Sequence, residues 1–145
     1  MPTGNAMSNT RLIMYHKHPT SARLRFLKFS YGGVCAFDPL PTLSQMIDDD
    51  PDGPVVAHPA SYISDAEKRL GMDTGDLEID SEFKAFVDVP DGVVEVFLVR
   101  FTGIDPPFEM AEAQGGEFVD LPQARNVTQV ELELLRKAYE VVMTG

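Results

Sequence analysis

The chain has one cysteine, Cys35, in 145 residues. No internal disulfide can staple it, and nothing calls for an oxidising compartment. Met1 to Thr10 lacks the basic-then-apolar order of a signal peptide. No apolar run approaches the roughly 20 residues that span a bilayer. A cytoplasmic protein with no membrane partner is the expectation by elimination. The catalytic signatures are missing too. There is no P-loop, no dinucleotide-binding glycine fingerprint, no Gly-x-Ser-x-Gly elbow and no His-Glu-x-x-His helix. Internal repeats, low-complexity tracts and interdomain linkers are also absent. In so acidic a chain carboxylates are plentiful, and none stands out as an acid–base pair.

One absence is local. The first acidic residue is Asp38, so Arg11, Lys17, Arg23, Arg25 and Lys28 precede every carboxylate, and the remaining seven basic residues share the rest of the chain with all 23 acidic ones. Packed among acidic neighbours, the basic segment partly neutralises them. Read functionally, Arg11, Lys17, Arg23, Arg25 and Tyr31 form a candidate site for a small anion, with Tyr15, Phe26 and Phe29 interleaved. The net charge of −11 repels nucleic acid at long range, which makes it an unfavoured partner.

A hydrophobic content of 43% and a charged content of 24% suit a soluble globular chain. Its length fits one domain with its own core, expected over residues 11–145 behind a disordered polar tail, residues 1–10. The organising stretch is Phe83 to Phe101. Two β-branched and aromatic runs flank Pro90-Asp91-Gly92, a hairpin signal. In the second arm Val94, Val96 and Leu98 face one way and Phe97, Val99 and Phe101 the other, so the strand needs cover on both sides. Arg11–Tyr15 and Arg23–Phe29 alternate as a further hairpin, interrupted by Tyr31-Gly32-Gly33. Short strands are expected at Val34–Phe37, Leu77–Ile79 and Glu117–Leu121.

Helices are expected at Leu43–Asp48, capped by Thr42, at Ala60–Leu70, and from Asp105 as N-cap through Gln114. The last, Thr128–Met143, begins with a Thr128/Glu131 capping box. Its stripe is Leu132, Leu135, Ala138, Tyr139 and Val142. The fold class is α+β, one mixed or mainly antiparallel sheet of about five or six strands with two amphipathic helices, Ala60–Leu70 and Thr128–Met143, packed on it.

Asp48, Asp50, Asp52 and Gly53 match the opening of an oxygen-ligand calcium loop, in which alternate carboxylates converge on a hard cation. Pro59 stands where a bidentate Glu would close that loop. The expectation is an exposed acidic loop that attracts a divalent ion, calcium or magnesium, weakly; no other cofactor is predicted. His16 and His18 read as surface histidines beside a proline turn, without the further ligands a transition-metal site needs, His58 and Cys35 being the other candidates. Cys35, between Val34 and Ala36, reads as a small buried thiol.

The run from Val93 to Arg125 is an apolar strand, a Pro-containing excursion, then Gly-Glu-Phe-Val-Asp-Leu-Pro-Gln-Ala-Arg before a terminal helix. In layout it resembles the second half of a Nudix hydrolase. The resemblance implies a sandwich of helices around a mixed sheet. It does not bring the family's metal chemistry. The family's box presents several glutamates to magnesium on one helix, and the segment in that place is Ser64-Asp65-Ala66-Glu67-Lys68-Arg69-Leu70-Gly71. Lys68 and Arg69 fill two positions of metal-binding glutamates, where cations repel Mg²⁺.

Three functions follow as expectations. The first is a macromolecular binding or self-assembly module without catalysis, with a protein partner. The second is a metal-dependent hydrolase of Nudix-like layout lacking the box, its site drawn from Asp48, Asp50, Asp52 or the Glu67 helix. The third is a small anionic-ligand binder using the basic N-terminal strands.

Overall fold

A computed structural model describes residues 10–47, 59–90, 92–124 and 126–144. Residues 1–9 of the expected tail, the Asp48–Gly53 loop, His58 and the hairpin residue Asp91 lie outside this set; Thr10, assigned to the tail, is the first residue of a strand. The elements run β1 (Thr10–Lys17), β2 (Leu24–Lys28), β3 (Cys35–Ala36), β4 (Gln45–Ile47), α1 (Pro59–Arg69), β5 (Leu77–Ile79), β6 (Ala85–Val89), β7 (Gly92–Phe101), α2 (Phe108–Ala113), β8 (Glu117–Val119), a 3-10 turn (Pro122–Ala124) and α3 (Gln129–Thr144).

The sheet is mixed and open, with eight strands where five or six were expected. Its order is β4-β6-β7-β1-β2-β8, with β3 added to β1 and β5 to β7. Its axis is the parallel pair β1 and β7, in register from Thr10↔Glu95 to Tyr15↔Arg100. Each of these two strands changes its outer partner part-way. β1 pairs with β3 through Leu12 and Ile13, then with β2 from Tyr15. β7 pairs with β6 up to Val96, then with β5 from Val99. The short strands that do this, two and three residues long, are two of those expected, one inside Val34–Phe37 and one at Leu77–Ile79.

The two-sided reading of the second hairpin arm holds. Val94, Val96 and Leu98 join Ile13, Phe26, Leu134, Leu135 and Ala138 in the core layer under α3. Phe97, Val99 and Phe101 join Leu12, Met14, Ala66 and Leu70 in the layer under α1 and α2. Each Leu or Phe so enclosed contributes about 1.5–3 kcal/mol, which keeps the alternation in register, since a one-residue slip would exchange the layers.

Several local expectations are corrected. Leu43–Asp48 is not a helix: Gln45–Ile47 forms an edge strand on β6, pairing Met46 with Val87, and Leu43 is exposed. Six residues nucleate a helix poorly in isolation, and an open strand edge offers them a full ladder. Asp105 does not cap α2, which begins at Phe108 with Pro107 before it and no side-chain cap. On α3 the inward stripe contains Leu134, while Tyr139 is exposed. His16 is not at the surface; it is fully buried.

Candidate functional site

Helix α1 ends in Lys68 and Arg69, cations that suit the negative end of its dipole. Both side chains are exposed. The preceding carboxylate, Glu67, is buried. Its Oε2 accepts hydrogen bonds from the backbone N–H groups of Gly75 at 2.8 Å and Leu77 at 3.1 Å. Glu67 therefore fixes the turn from α1 into β5 through one carboxylate oxygen.

Arg69 turns onto an aromatic row. Its guanidinium carbon stands 4.0 Å from the centroid of the Phe37 ring. Phe37 meets Phe29 edge-on at 6.1 Å, and Phe29 lies parallel to Tyr31 at 6.4 Å. The row follows the gap where β2 and β3 part, and it reaches from the end of α1 to the start of α3. Tyr31 is 40% exposed along this wall, yet its hydroxyl is tied down. It accepts from the Cys35 N–H at 2.8 Å and stands 2.8 Å from the Cys35 carbonyl and 3.1 Å from Glu131 Oε2.

Glu131, 1% exposed, also accepts from the Val34 N–H through Oε1 at 3.0 Å. This corrects the capping box: Thr128 Oγ1 does receive the Glu131 N–H, at 3.4 Å, but the Glu131 side chain turns inward to hold the loop before β3. Gly33 lets it approach. A Cβ there would lie 2.5 Å from Glu131 Oε1 and would overlap the Tyr31 ring. Burial, then the charge of Glu131, pushes the Cys35 thiol well above its usual range. Burial first also raises the Tyr31 phenol. Both stay protonated, so neither serves as a nucleophile. A guanidinium over a ring, a second exposed cation and a partly open aromatic wall suit noncovalent recognition of anions and planar groups.

The backbone around this site has a solved counterpart. The fold is similar to that of the Ap4A hydrolase of C. elegans, with a TM-score of 0.52 at 15% sequence identity, over 90% of this chain and 93% of that one. At that identity the likeness establishes the α+β fold. No protein-family model matches the chain, and no curated protein matches it.

The expected anion-site residues occupy separate places. Arg11 is buried near the start of β1, its guanidinium donating to the carbonyls of Thr10 and Pro39. Lys17, at the other end of the strand and about 20 Å away by strand rise, donates to the Val142 carbonyl at 3.4 Å. Arg23 stands 3.9 Å from Asp120, a partial neutralisation by an acidic neighbour. Arg25 lies on the opposite face, 5.7 Å from the Phe108 centroid. Of the five, Tyr31 alone joins the aromatic row. The cation beside that row is Arg69, which sequence reasoning weighed only as a mismatch to a glutamate; its pairing with Phe37 has no sequence-local signal.

A depression of about 490 Å³ lies elsewhere, at the carboxyl ends of β1 and β7, and is lined by Tyr15, Lys17, His18, Asp80, Glu82 and Arg100, among others. Its polar groups are largely paired. The Tyr15 hydroxyl donates to Asp80 Oδ2 at 2.9 Å, and Arg100 donates to Glu78 at 2.7 Å. The Asp48, Asp50 and Asp52 loop lies outside the described residues. Among the described residues no group of three or more His, Cys, Asp or Glu could hold a metal ion, and no helix is long and apolar enough to cross a membrane.

Proposed function

We propose that the protein binds a small phosphate-bearing ligand of the nucleoside polyphosphate type at the Lys68–Arg69 end of α1, and that it does so without a magnesium-loaded helix. The observation that carries this reading is Arg69, whose guanidinium lies over Phe37 at 4.0 Å in a position where the Nudix layout calls for a metal-binding glutamate. Arg69, held over Phe37, and the exposed Lys68 beside it answer phosphate charge directly, as a bound metal would. Lys68 and Arg69 repel magnesium there, and one oxygen of Glu67, the nearest carboxylate, is taken up by backbone N–H groups. The row Phe37, Phe29 and Tyr31 offers ring faces to a base. The nucleoside class is supported by the solved counterpart, whose name gives Ap4A as what it hydrolyses.

Titration calorimetry with ADP, ATP and Ap4A in EDTA tests this. Binding is expected without metal, and Lys68→Glu with Arg69→Glu weakens it at least about tenfold, roughly 1.4 kcal/mol. No heat at millimolar ligand refutes the proposal. A second reading, the metal-dependent hydrolase, draws on the same backbone likeness and on the aspartates that precede α1 in sequence. It requires Mg²⁺-dependent cleavage of Ap4A that Asp48→Asn, Asp50→Asn and Asp52→Asn together abolish. The fold likeness lends nothing to a purely assembly-forming role.

A further inference from the structure

His16 is the one histidine that the chain encloses among the described residues. It sits on β1 on the face under α1 and α2. Arg25 lies directly across from it on β2. Because Tyr15 pairs with Arg100, the next residues, His16 and Phe101, lie side by side. Over this row runs the excursion from Thr102 to Pro107 that leads into α2. Its attachments are few. Thr102 bonds the carbonyls of Asp76 and Gly75. The Gly103 carbonyl lies 2.9 Å from His16 Nε2. Asp105 stands 3.7 Å from His18 Nε2.

A carbonyl only accepts, so His16 Nε2 carries a proton, and in the neutral form of the ring Nδ1 is the bare nitrogen. His16 Nδ1 is buried and has no hydrogen-bond partner among the described residues. Proton uptake there would create a buried imidazolium whose new N–H has nothing to donate to, beside the guanidinium-bearing strand position of Arg25. The charged groups on the elements around it do not answer that charge. His18 bonds its own turn through Nδ1, receiving the Thr20 and Ser21 N–H groups. Asp105 faces His18, and Glu109 and Glu112 of α2 are exposed. A buried, unanswered charge is expensive, so a protonated His16 favours any state in which it reaches water.

We infer that His16 is a pH-sensitive latch: neutral, it holds the Thr102–Pro107 excursion and α2 on the sheet through Gly103, and protonated, it releases them. Release parts Phe108 of α2 from Phe118, 5.7 Å away, and uncovers Phe118 and Phe101, which meet at 5.6 Å. The His18–Asp105 pair also touches the excursion, but Asp105 is 80% exposed and such a pair is weak.

Hydrogen exchange of the intact chain read by mass spectrometry at pH 7.5 and 5.5, corrected for intrinsic rates, tests the latch. Acidification is expected to raise the opening constant of residues 102–113 by up to about tenfold per pH unit, the limit for one proton taken up on opening, while β7 and α3 keep their protection. His16→Phe, which fills the same space, removes the pH dependence; His18→Ala preserves it. Equal protection of 102–113 at both pH values, or an acid response that survives His16→Phe, overturns the inference. Should His16→Phe fail to fold, ring-nitrogen NMR of the wild type decides. Nδ1 protonation concurrent with loss of protection supports the latch. Protonation beneath a fully protected excursion refutes it.

Discussion

Glu131 offers the sharpest test of how the aromatic row is built. Its carboxylate, 1% exposed, accepts from the Val34 N–H at 3.0 Å and lies 3.1 Å from the Tyr31 hydroxyl. Glu131→Ala strands the Val34 N–H in a fully buried position, at about 1–3 kcal/mol, and removes one bond from Tyr31, at about 1 kcal/mol, because the Cys35 backbone still holds that hydroxyl. The expected loss is about 3 kcal/mol, equivalent to a Tm fall of roughly 6–12 °C for a chain of this size. Glu131→Gln keeps an acceptor for Val34 and offers Tyr31 a donor instead, so it costs about 1 kcal/mol. Gly33→Ala pushes a methyl against the same carboxylate and ring, an overpacking of about 1–3 kcal/mol. In the Glu131→Ala background part of that conflict is gone, so the double-mutant cycle is non-additive by about 1 kcal/mol or more. Urea unfolding followed by circular dichroism measures the wild type and the four variants. Reactivity of the buried Cys35 thiol toward a disulfide reagent reports opening of the loop itself. Equal costs for Glu131→Ala and Glu131→Gln, or an additive cycle, would refute this account.

The remaining predictions concern buried ionisable groups. Burial first, then the bond to Asp80, raises the Tyr15 phenol, and burial likewise raises Tyr31. The folded chain thus holds these protons more tightly than the unfolded one, whose phenols ionise near pH 10. The stabilisation is complete below about pH 10 and is lost as pH climbs above it. Absorbance at 295 nm should show two of the four tyrosines ionising only on unfolding, with urea midpoints lower at pH 11 than at pH 9; four phenols ionising together near pH 10 in the native protein would contradict this. Glu67→Ala leaves the Gly75 and Leu77 N–H groups without their shared acceptor and is expected to cost about 2–4 kcal/mol, read by thermal unfolding. A neutral result would return Glu67 to the pool of functional carboxylates.

What the sequence displayed was periodicity over long segments. Phe83–Phe101 announced a central strand with two apolar faces, and Ala60–Leu70 and Thr128–Met143 announced their cover, because these patterns repeat over enough residues to exclude alternatives. Short elements were misread where a partner elsewhere decides. Gln45–Ile47 has no intrinsic strand signal and becomes one because β6 offers an edge. Glu131 completes a capping-box pattern that local spacing makes attractive, but its side chain satisfies Val34, 97 positions away in sequence. The same holds for the site. Tyr31 and Phe29 are neighbours in sequence and were visible together. Phe37 and Arg69 belong to different elements, and no local rule joins them. The cluster of early cations was plain in sequence, yet strand alternation and strand length distribute it over two faces and two ends.

The divided pairing of β1 explains why these features lie where they do. A strand with one continuous partner has a closed edge. β1 instead exchanges β3 for β2 between Ile13 and Tyr15, and the loop joining these partners must leave the sheet and return within a few residues. Phe29, Tyr31 and Gly33 occupy that detour, where Glu131 can reach the backbone from α3 and Arg69 can reach Phe37 from α1. Beyond Tyr15 the other half of β1 carries His16, still paired with Arg25 of β2, to the end of its pairing with β7, which stops at Phe101 and turns back. A histidine there is within reach of the returning carbonyl at Gly103, and it would not be if β7 ran straight on past it. The pairing change thus separates the aromatic row from the His16–Gly103 contact along one strand, each beside a different half of β1.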